Sequence, residues 1–536
     1  MLLCKNYPEL VEGIPYSLIL DYVKKFIAYE ITDFISTGTI YSAQVVLITL
    51  AEGYELAGDS ENQYKCYIKN LQFNNIYFKR ICFEHGLSVF LETVKTEYIY
   101  YHSILAKALY LVSTHSFPLN ELYLELCKRK NLLYLGEMWQ RQGINAVEIS
   151  KLIEKDFTFD ELQANIGDKN TLVDFFYVRI NTDNDVITKE LINSRENFAC
   201  FAFILSSDDD VQFYIVDKAA ELVENISNYG DSHDYFKNIT EYILENQSST
   251  KRLIVCADGD VNRLNIAALP YLDGYITDYY AVRNIGSVLD IIYPSQKKSV
   301  KTALLFNAPD YGGDTSGEQD SDWQYLLGSE LEGQFIYGTL KDKLNIVDHL
   351  YGQEADKSAL LKELEKKHDI LHISTHGTVI DGKVSIITAG ANIADSDSLV
   401  SDAEMGVYSL ENTSAAVFAL CFGAQQLSSL QDSLSGFIKA SLLSGVNTVI
   451  APIQPIDDLS TVILLNEFYK YYLSERESDG RINAEQALKK AIQRTRHITK
   501  QELLREYYIE LDTAEYPFSE PQHWSPWVCF SKEQMG

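Results

Sequence analysis

Two side chains that could act together in catalysis each follow a short apolar run. His376 comes after ILHIST, and Cys421 comes 45 residues later, after AAVFAL. A cysteine thiol has an ordinary pKa of about 8.5 and becomes an effective nucleophile when a neighbouring imidazole takes its proton. The same imidazole can then protonate a leaving amine. The pair therefore predicts nucleophilic hydrolysis of a peptide bond.

Glycines lie beside both candidates and favour the same chemistry. Gly377 follows the histidine directly, and Gly423 follows the cysteine by two residues. Backbone N–H groups at such positions can approach a developing oxyanion closely. A metal site at His372 and His376 is not expected, because an i, i+4 pair of ligands needs a helix and these residues lie at a strand end. We expect neither a metal nor a cofactor.

The elements that must position these residues follow from the pattern of the C-terminal half. Near-continuous apolar runs alternate there with amphipathic segments, and the runs are RLIVCAD, TALLFNAP, ILHISTHG, AAVFALCF and TVIAPIQP. This pattern predicts an α/β fold, with a mostly parallel sheet flanked by helices and the chemistry at the carboxyl ends of the strands. Residues 309–322 are rich in glycine and acids, which predicts an exposed, mobile loop.

The N-terminal region reads differently. Apolar residues recur at helical spacing up to about residue 141, and residues 42–71 predict two helices joined by a turn at Gly58 and Asp59. This unit resembles one tetratricopeptide repeat, and an irregular helical bundle is the alternative. We predict a regulatory or partner-binding helical domain at 1–150, a β-rich region at 151–250 and the α/β domain at 251–536.

Charge and composition exclude several classes of partner. Lys and Arg total 46 against 76 Asp and Glu, and the net charge of −30 disfavours direct binding of nucleic acid or anionic membranes. No uncharged apolar run reaches 18 residues, which predicts no membrane span. The first residues lack the apolar region of a secretion signal, and the eight cysteines form no short-spaced framework. We therefore expect a cytoplasmic protein with reduced thiols.

Six motifs in order resemble the CHAT domain, a caspase-like, TPR-associated domain of clan CD cysteine peptidases, related to separase and caspases. The first contains Asn265 where proline is usual. The motifs are RLIVCADGDVNRLNIAALP, the helix with Glu330-x-Glu332, ILHISTHG, ALCFGA, SGFIKASLLSGVNTVIAPIQPIDDLST with NAEQALKKAIQ, and HWSPWVCF. The spacing from His376 to Cys421 is also close to the separation of about 50 residues between the caspase histidine and cysteine.

The resemblance implies a role for each site residue. His376 would be the general base and acid, Cys421 the nucleophile, and the amides of Gly377 and Cys421 the oxyanion donors. His372 would be a strand residue packed behind the site. The implied activity is that of a cysteine endopeptidase.

Three acidic residues are candidates for the pocket that receives the substrate's P1 side chain. Asp457 and Asp458 follow the run TVIAPIQP, and the matching position in separase-like relatives carries an acid that pairs with a basic P1 residue. Alternatively, the two acids cap a helix that begins near Leu459. Asp458 is the better pocket candidate of the two, and Asp432 is a third.

The resemblance also implies a biological setting. Relatives cleave one or a few protein substrates, including gasdermin-like pore formers and CRISPR-linked targets, in antiviral defence or cell death. We expect activation by a partner or ligand, with a protein activator bound to the N-terminal helices. The alternative from another class is a catalytically silent caspase-fold scaffold that binds partner proteins.

Overall fold

The coordinates are a computed structural model, and two compact units make up its described part. The first unit takes the described residues up to Glu161 and those within 177–203 and 209–216, and the second takes the remainder. The structure describes residues 37–85, 87–142, 156–179, 198–207, 209–216, 240, 251–258, 261–262, 264–296, 298–311, 323, 325–380, 383–390, 398–420, 436–474 and 483–533. The boundaries near residues 150 and 250 stay predictions.

Long helices dominate the first unit. The elements before residue 220 are α1 (Thr37–Leu56), α2 (Ser60–His85), α3 (Leu87–Thr114), α4 (Asn120–Gln142), α5 (Phe159–Ile166), β1 (Asn170–Arg179), β2 (Phe198–Ser206) and β3 (Gln212–Val216). The predicted helix pair is confirmed, and Gly58 takes the positive φ of 71° that its turn requires. Buried polar contacts join the helices, such as Asn75 Nδ2 donating to the Glu125 carbonyl at 2.9 Å.

The second unit alternates strands with helices, as the sequence predicts. Residues 162–176, which include most of α5 and β1, belong to this unit. Its further elements to residue 364 are β4 (Arg252–Cys256), β5 (Pro270–Tyr271), β6 (Gly274–Tyr275), α6 (Ile276–Tyr279), β7 (Ala281–Asn284), α7 (Leu289–Ile292), β8 (Thr302–Pro309), α8 (Leu327–Lys341), β9 (Ile346–Gly352) and α9 (Lys357–Leu364). The remaining elements are β10 (Ile370–Ser374), β11 (Gly377–Ile380), β12 (Lys383–Ile387), β13 (Leu399–Ser401), α10 (Asp402–Met405), β14 (Ala415–Ala419), α11 (Gly436–Leu443), β15 (Thr448–Pro452), α12 (Asp458–Tyr472), α13 (Ala484–His497), α14 (Lys500–Tyr507) and β16 (Trp527–Ser531).

The main sheet of this unit is mostly parallel. Its strand order is β1-β4-β7-β16-β15-β14-β10-β8-β9. Neighbours run parallel except β15 and β16, which are antiparallel, so the strand direction reverses once across the sheet. The strands β15, β14, β10 and β8 therefore present their carboxyl ends at one common edge. His376 follows β10 and Cys421 follows β14 in the sequence, and both strands belong to this half of the sheet.

Burial explains why these strands read as continuous apolar runs. Every residue of β10, β14 and β15 is buried. Leu371 and Ile373 of β10 belong to one apolar core with Phe418 of β14 and Phe437 of α11. A smaller antiparallel sheet, β11-β12-β13, follows β10 directly. Among the described residues, no helix has both the length and the apolar character needed to span a membrane.

Candidate active site

The two strands that precede the candidate dyad are adjacent and parallel. Ser374 lies opposite Ala419 in the register of β10 and β14. The pairing continues past the strand end, where the Thr375 amide donates to the Ala419 carbonyl at 3.3 Å. His376 follows Ser374 by two residues, and Cys421 follows Ala419 by two residues. Cys421 itself lies outside the described residues.

His376 is half-buried between two aromatic rings. Its ring centroid lies 5.3 Å from that of Tyr311 and 5.3 Å from that of Trp323. Tyr311 belongs to the segment 309–322, for which the sequence predicts an exposed loop. That prediction is wrong at Pro309 and Tyr311, which are both buried. Pro309 ends strand β8, and Tyr311 packs with Ile387 in a small apolar cluster.

A chain of hydrogen bonds fixes the backbone that carries His376. The Thr375 hydroxyl donates to the Ile387 carbonyl at 2.8 Å, so its single proton is used there. The Tyr311 hydroxyl, 2.7 Å from Thr375 Oγ1, is therefore the donor in that contact. Tyr311 in turn accepts from the His376 amide at 3.4 Å, and the His376 carbonyl accepts from the Ile387 amide at 3.0 Å. Both sides of the His376 backbone are thus held.

The amide of Gly377 points away from the small sheet. Gly377 lies opposite Ile386, and the bond from the Ile387 amide to the His376 carbonyl makes this a non-hydrogen-bonded pair. In such an antiparallel pair the N–H and C=O groups of both residues face away from the partner strand. The Gly377 N–H therefore has the orientation that an oxyanion donor outside β11 and β12 needs.

Asp458 lies close enough to His376 for their charges to interact. Partial burial of its carboxyl and the charge of Asp457 raise the pKa of Asp458, while the charge of His376 lowers it. The Gly328 amide, at the start of α8, donates to the carboxylate. A Cβ at Gly328 would lie 2.5 Å from the Asp458 Cβ, so only glycine fits this approach. The residue as a whole is exposed.

Asp457 has a structural contact set instead. It is the N-cap of α12, and its side chain accepts from the Ser460 amide at 2.8 Å. His523 Nδ1 lies 3.5 Å from Asp457 Oδ1 and is the main cause of a pKa lowered to about 2. The helix-cap alternative therefore applies to Asp457, whereas the charge of Asp458 interacts with that of His376. Asp432, the third pocket candidate, lies outside the described residues.

Behind the strand end is a polar cluster for which the sequence gives little signal. His372 is buried in β10, as the resemblance implies, and its Nε2 lies 2.7 Å from Oε1 of Glu332. Glu332 belongs to the Glu330-x-Glu332 motif, but its distance of 40 residues from His372 hides the contact. Tyr311 and Trp323 had no signal either, because their surroundings in sequence read as loop.

Within the described part of the chain, one group of acidic and histidine side chains could hold a cation. Ligand atoms of Asp348, Glu363 and His368 all lie within 4.8 Å of one another. Lys366 Nζ already lies 2.6 Å from Glu363 and 4.0 Å from Asp348, which supplies a positive charge to the group. His368 precedes the amino end of β10, whereas His376 follows its carboxyl end. The cluster is therefore separate from the candidate dyad.

Solved structures with a similar fold are cysteine proteinases and a separase complex. The Arg specific cysteine proteinase gingipain R has a TM-score of 0.37 and 10% identity, covering 58% of this chain and 70% of that chain. A complex of pro- and mature domains from Porphyromonas gingivalis has a TM-score of 0.35 and 8% identity, covering 59% and 76%. The Saccharomyces cerevisiae separase–securin complex has a TM-score of 0.45 and 9% identity, covering 96% of this chain and 45% of that chain.

The family comparison bears directly on the predicted resemblance. No curated protein matches the chain. A model of the CHAT domain matches residues 234–532, which include both dyad candidates and all of β4 to β16. Since this span is more than half of the chain, the protein belongs to the CHAT domain family.

Proposed function

We propose that the protein is a cysteine endopeptidase in which Cys421 is the nucleophile and His376 the general base and acid. The register of β10 and β14 carries this proposal, because both residues lie two positions past a directly opposed pair, Ser374 and Ala419. Opposed residues on neighbouring strands are about 4.8 Å apart. His376 and Cys421 each follow their residue of this pair by two positions, so their side chains can reach each other.

The proposed reaction uses only groups of this chain and water. The Cys421 thiolate attacks the scissile carbonyl, and a C–S bond forms as the carbonyl π electrons move to oxygen. The C–N bond then breaks, His376 gives its proton to the leaving amine, and a thioester remains. Water, deprotonated by His376, hydrolyses the thioester and restores the thiol. The amides of Gly377 and Cys421 would stabilise the oxyanion in both steps.

We assign the pocket acid to Asp458 rather than Asp457 or Asp432. The carboxylate of Asp458 is held by the Gly328 amide, lies near His376 and belongs to an exposed residue that a ligand can reach. Asp457 is already used as a helix cap. A carboxylate in this position would select a basic P1 residue through charge-assisted hydrogen bonds. The substrate would thus be an extended protein segment with Arg or Lys before the scissile bond.

The first experiment tests the dyad. Full-length wild type, Cys421→Ala and His376→Ala are incubated with a diverse peptide library, and Cys421 alkylation by iodoacetamide is measured in wild type and His376→Ala. We expect cleavage in wild type alone, and slower alkylation at neutral pH without the imidazole. Cys529, which is buried and whose pKa burial raises well above its ordinary value, serves as the internal unreactive thiol. Cleavage that survives Cys421→Ala would refute the assignment.

The second experiment tests the pocket. Hydrogen bonds to charged groups contribute about 1.5–3 kcal/mol, so Asp458→Asn should lower kcat/KM for peptides with Arg at P1 by about 10- to 150-fold. Asp457→Asn is the matched control, because asparagine caps helices as well as aspartate does. Peptides with Leu at P1 should change little in either variant. Equal losses for Arg and Leu peptides would remove Asp458 from the pocket.

Control by a protein partner at the N-terminal helices is part of the proposal. Several apolar side chains of this region are exposed, and Leu56 at the end of α1 is 82% exposed. Helix pairs with such faces bind peptides and partner helices. Leu56→Glu should therefore weaken activation by a protein partner while leaving Cys421 alkylation by iodoacetamide unchanged. Retained activation would place the partner elsewhere. The protein would have a role in antiviral defence or cell death if its substrate, as distinct from its activator, is a pore former or a CRISPR-linked protein.

A further inference from the structure

A buried carboxylate lies directly behind the strand that carries the candidate histidine. Glu332 of α8 is 1% exposed, and its Oε2 accepts from the Ser374 hydroxyl at 3.0 Å. Its Oε1 lies 2.7 Å from Nε2 of His372, a close contact that is not aligned as a hydrogen bond. His372 and Ser374 alternate with the apolar residues of β10, so both project toward the same face. Glu332 therefore contacts two successive side chains on this face of one strand.

The hydroxyl of Tyr469 completes the cluster from α12. It lies 3.1 Å from Nδ1 of His372. Burial and the charge of Glu332 raise the pKa of Tyr469 well above its ordinary value, so the phenol keeps its proton and can donate to Nδ1. In this arrangement the proton of His372 is on Nε2, which lies beside Glu332 Oε1 without an aligned hydrogen bond. The carboxylate therefore accepts one hydrogen bond from β10, that of the Ser374 hydroxyl, and has the His372 ring in close contact.

The first turn of the same helix holds the strand end a second time. The Ser329 hydroxyl donates to the Ser374 carbonyl at 2.7 Å. Ser329 Oγ also accepts from the Ala308 amide of β8 at 2.9 Å. Ser374 is thus bound by α8 through both its side chain and its carbonyl, two residues before His376. The helix sets how far β10 extends toward the site.

An ordinary core would not need these polar groups. The opposite face of β10 packs Leu371 and Ile373 into an apolar cluster. A buried carboxylate costs several kcal/mol of desolvation that such apolar contacts avoid, and buried polar groups are retained in some proteins because they specify one arrangement. Here the arrangement that they specify is the position of Ser374 and hence of the residues that follow it.

We propose that Glu332 is a positioning residue for His376, acting through Ser374 and His372. This role rests on the proposed peptidase function and adds a residue to it. Without the negative charge of the carboxylate, the hydrogen bond from Ser374 is weakened, and the strand end can shift relative to β14. A misplacement of about 1 Å at a catalytic group can cost about 100-fold in rate. Asp458 is held by the Gly328 amide in the first turn of α8. Substrate binding at Asp458 should therefore be unaffected as long as that turn does not move.

The test compares Glu332→Gln and Ser374→Ala with Glu330→Gln in the full chain. Glu330 is the matched control, because it lies in the same turn but contacts Gln334 and Tyr325 rather than β10. Rates are measured with the best peptide from the library, per active site titrated with a peptide chloromethyl ketone, below the unfolding temperature of each variant. We expect Glu332→Gln to lower kcat by tenfold or more with KM within about twofold, and Glu330→Gln to match wild type.

A double variant separates the proposed link from general destabilisation. If Glu332 acts through Ser374, the double variant Glu332→Gln with Ser374→Ala should lose no more activity than the more damaged single variant. The positioning role would be overturned if the activity losses of the two single variants multiply in the double variant. It would also be overturned if Glu332→Gln behaves like Glu330→Gln. If Glu332→Gln does not fold, a lower kcat in Ser374→Ala at unchanged KM supports the link, and an unchanged kcat refutes it. A wild type without cleavage and without His376-dependent alkylation of Cys421 would overturn the proposed function instead.

Discussion

Replacing Tyr311 by phenylalanine removes one oxygen from the hydrogen-bond chain around His376. That oxygen donates to Thr375 Oγ1 at 2.7 Å and accepts from the His376 amide at 3.4 Å. Burial raises the pKa of Tyr311 to about 12, so the phenol is a donor throughout the neutral range. The variant keeps the ring and its packing against His376. It therefore isolates the contribution of the hydroxyl.

The expected loss of stability follows from these two contacts. The shorter bond should contribute about 1 kcal/mol, whereas a bond of 3.4 Å contributes little. The His376 amide is part-buried, so leaving it without an acceptor costs less than the roughly 1–3 kcal/mol of a fully buried group. We expect Tyr311→Phe to destabilise the segment around His376 by about 1–3 kcal/mol. Thr375→Val should share about 1 kcal/mol of that loss, because both variants break the same bond.

The assay must report on this segment alone, since unfolding of a chain with two compact units need not be a single transition. Amide hydrogen exchange in a peptide spanning β10 to β12 gives the free energy of local opening. It is measured for wild type, Tyr311→Phe, Thr375→Val and the double variant. Tyr325→Phe is the control, because its hydroxyl lies at an exposed contact with Tyr351. Additivity of the two variants to within about 0.3 kcal/mol would refute the assigned hydrogen bond.

Two further predictions concern α8 and α12. Gly333→Ala would place a Cβ against Nδ2 of the buried Asn307, and we expect a loss of about 1–3 kcal/mol in the free energy of local opening, measured by amide hydrogen exchange in a peptide spanning α8. Asp457 has a pKa lowered to about 2, so its stabilising effect is present above its unfolded value and is lost as the pH falls toward 2. The Asp457 side chain is 44% exposed and screened by solvent. At pH 5 the wild type should therefore be more stable than Asp457→Asn by about 1 kcal/mol or less. A gap that persists unchanged at pH 2.5 would contradict the pairing with His523.

The strand ends that carry the candidate dyad could be predicted because their signals are local. β10 (Ile370–Ser374) lies within the predicted apolar run ILHISTHG, and β14 (Ala415–Ala419) lies within the run AAVFALCF. Their adjacency follows from the alternation of strands and helices, which favours parallel neighbours. The catalytic roles of His376 and Cys421 stay predictions.

What could not be predicted depends on contacts between distant residues. Composition around Tyr311 indicates an exposed loop, yet the ring is buried because β8 ends beside β10 and the hydroxyl finds Thr375, 64 residues later. Asp457 and Asp458 are neighbours with the same side chain, and only the backbone at the start of α12 separates the cap from the residue facing His376. Periodicity contains no information about that difference.

The reversal of strand direction also escapes sequence patterns. The motif HWSPWVCF contains most of β16, which lies inside the sheet, between β7 and β15, and runs antiparallel to β15. Asn265, which stands where proline is usual in the family, helps hold it there. Its Nδ2 donates to the carbonyls of Ser525 at 2.7 Å and Trp527 at 2.9 Å. Since proline has no such donor, this chain anchors its last strand by a bond that the family pattern does not supply.

The start of α8 connects the parts of the site that strands alone leave independent. Ser329 binds the ends of β8 and β10, and Gly328 holds Asp458 at the start of α12. A shift of this helix would therefore move the histidine strand and the pocket acid together. Stiff packing at Gly333, whose hydrogen faces the Asn307 amide, opposes such a shift.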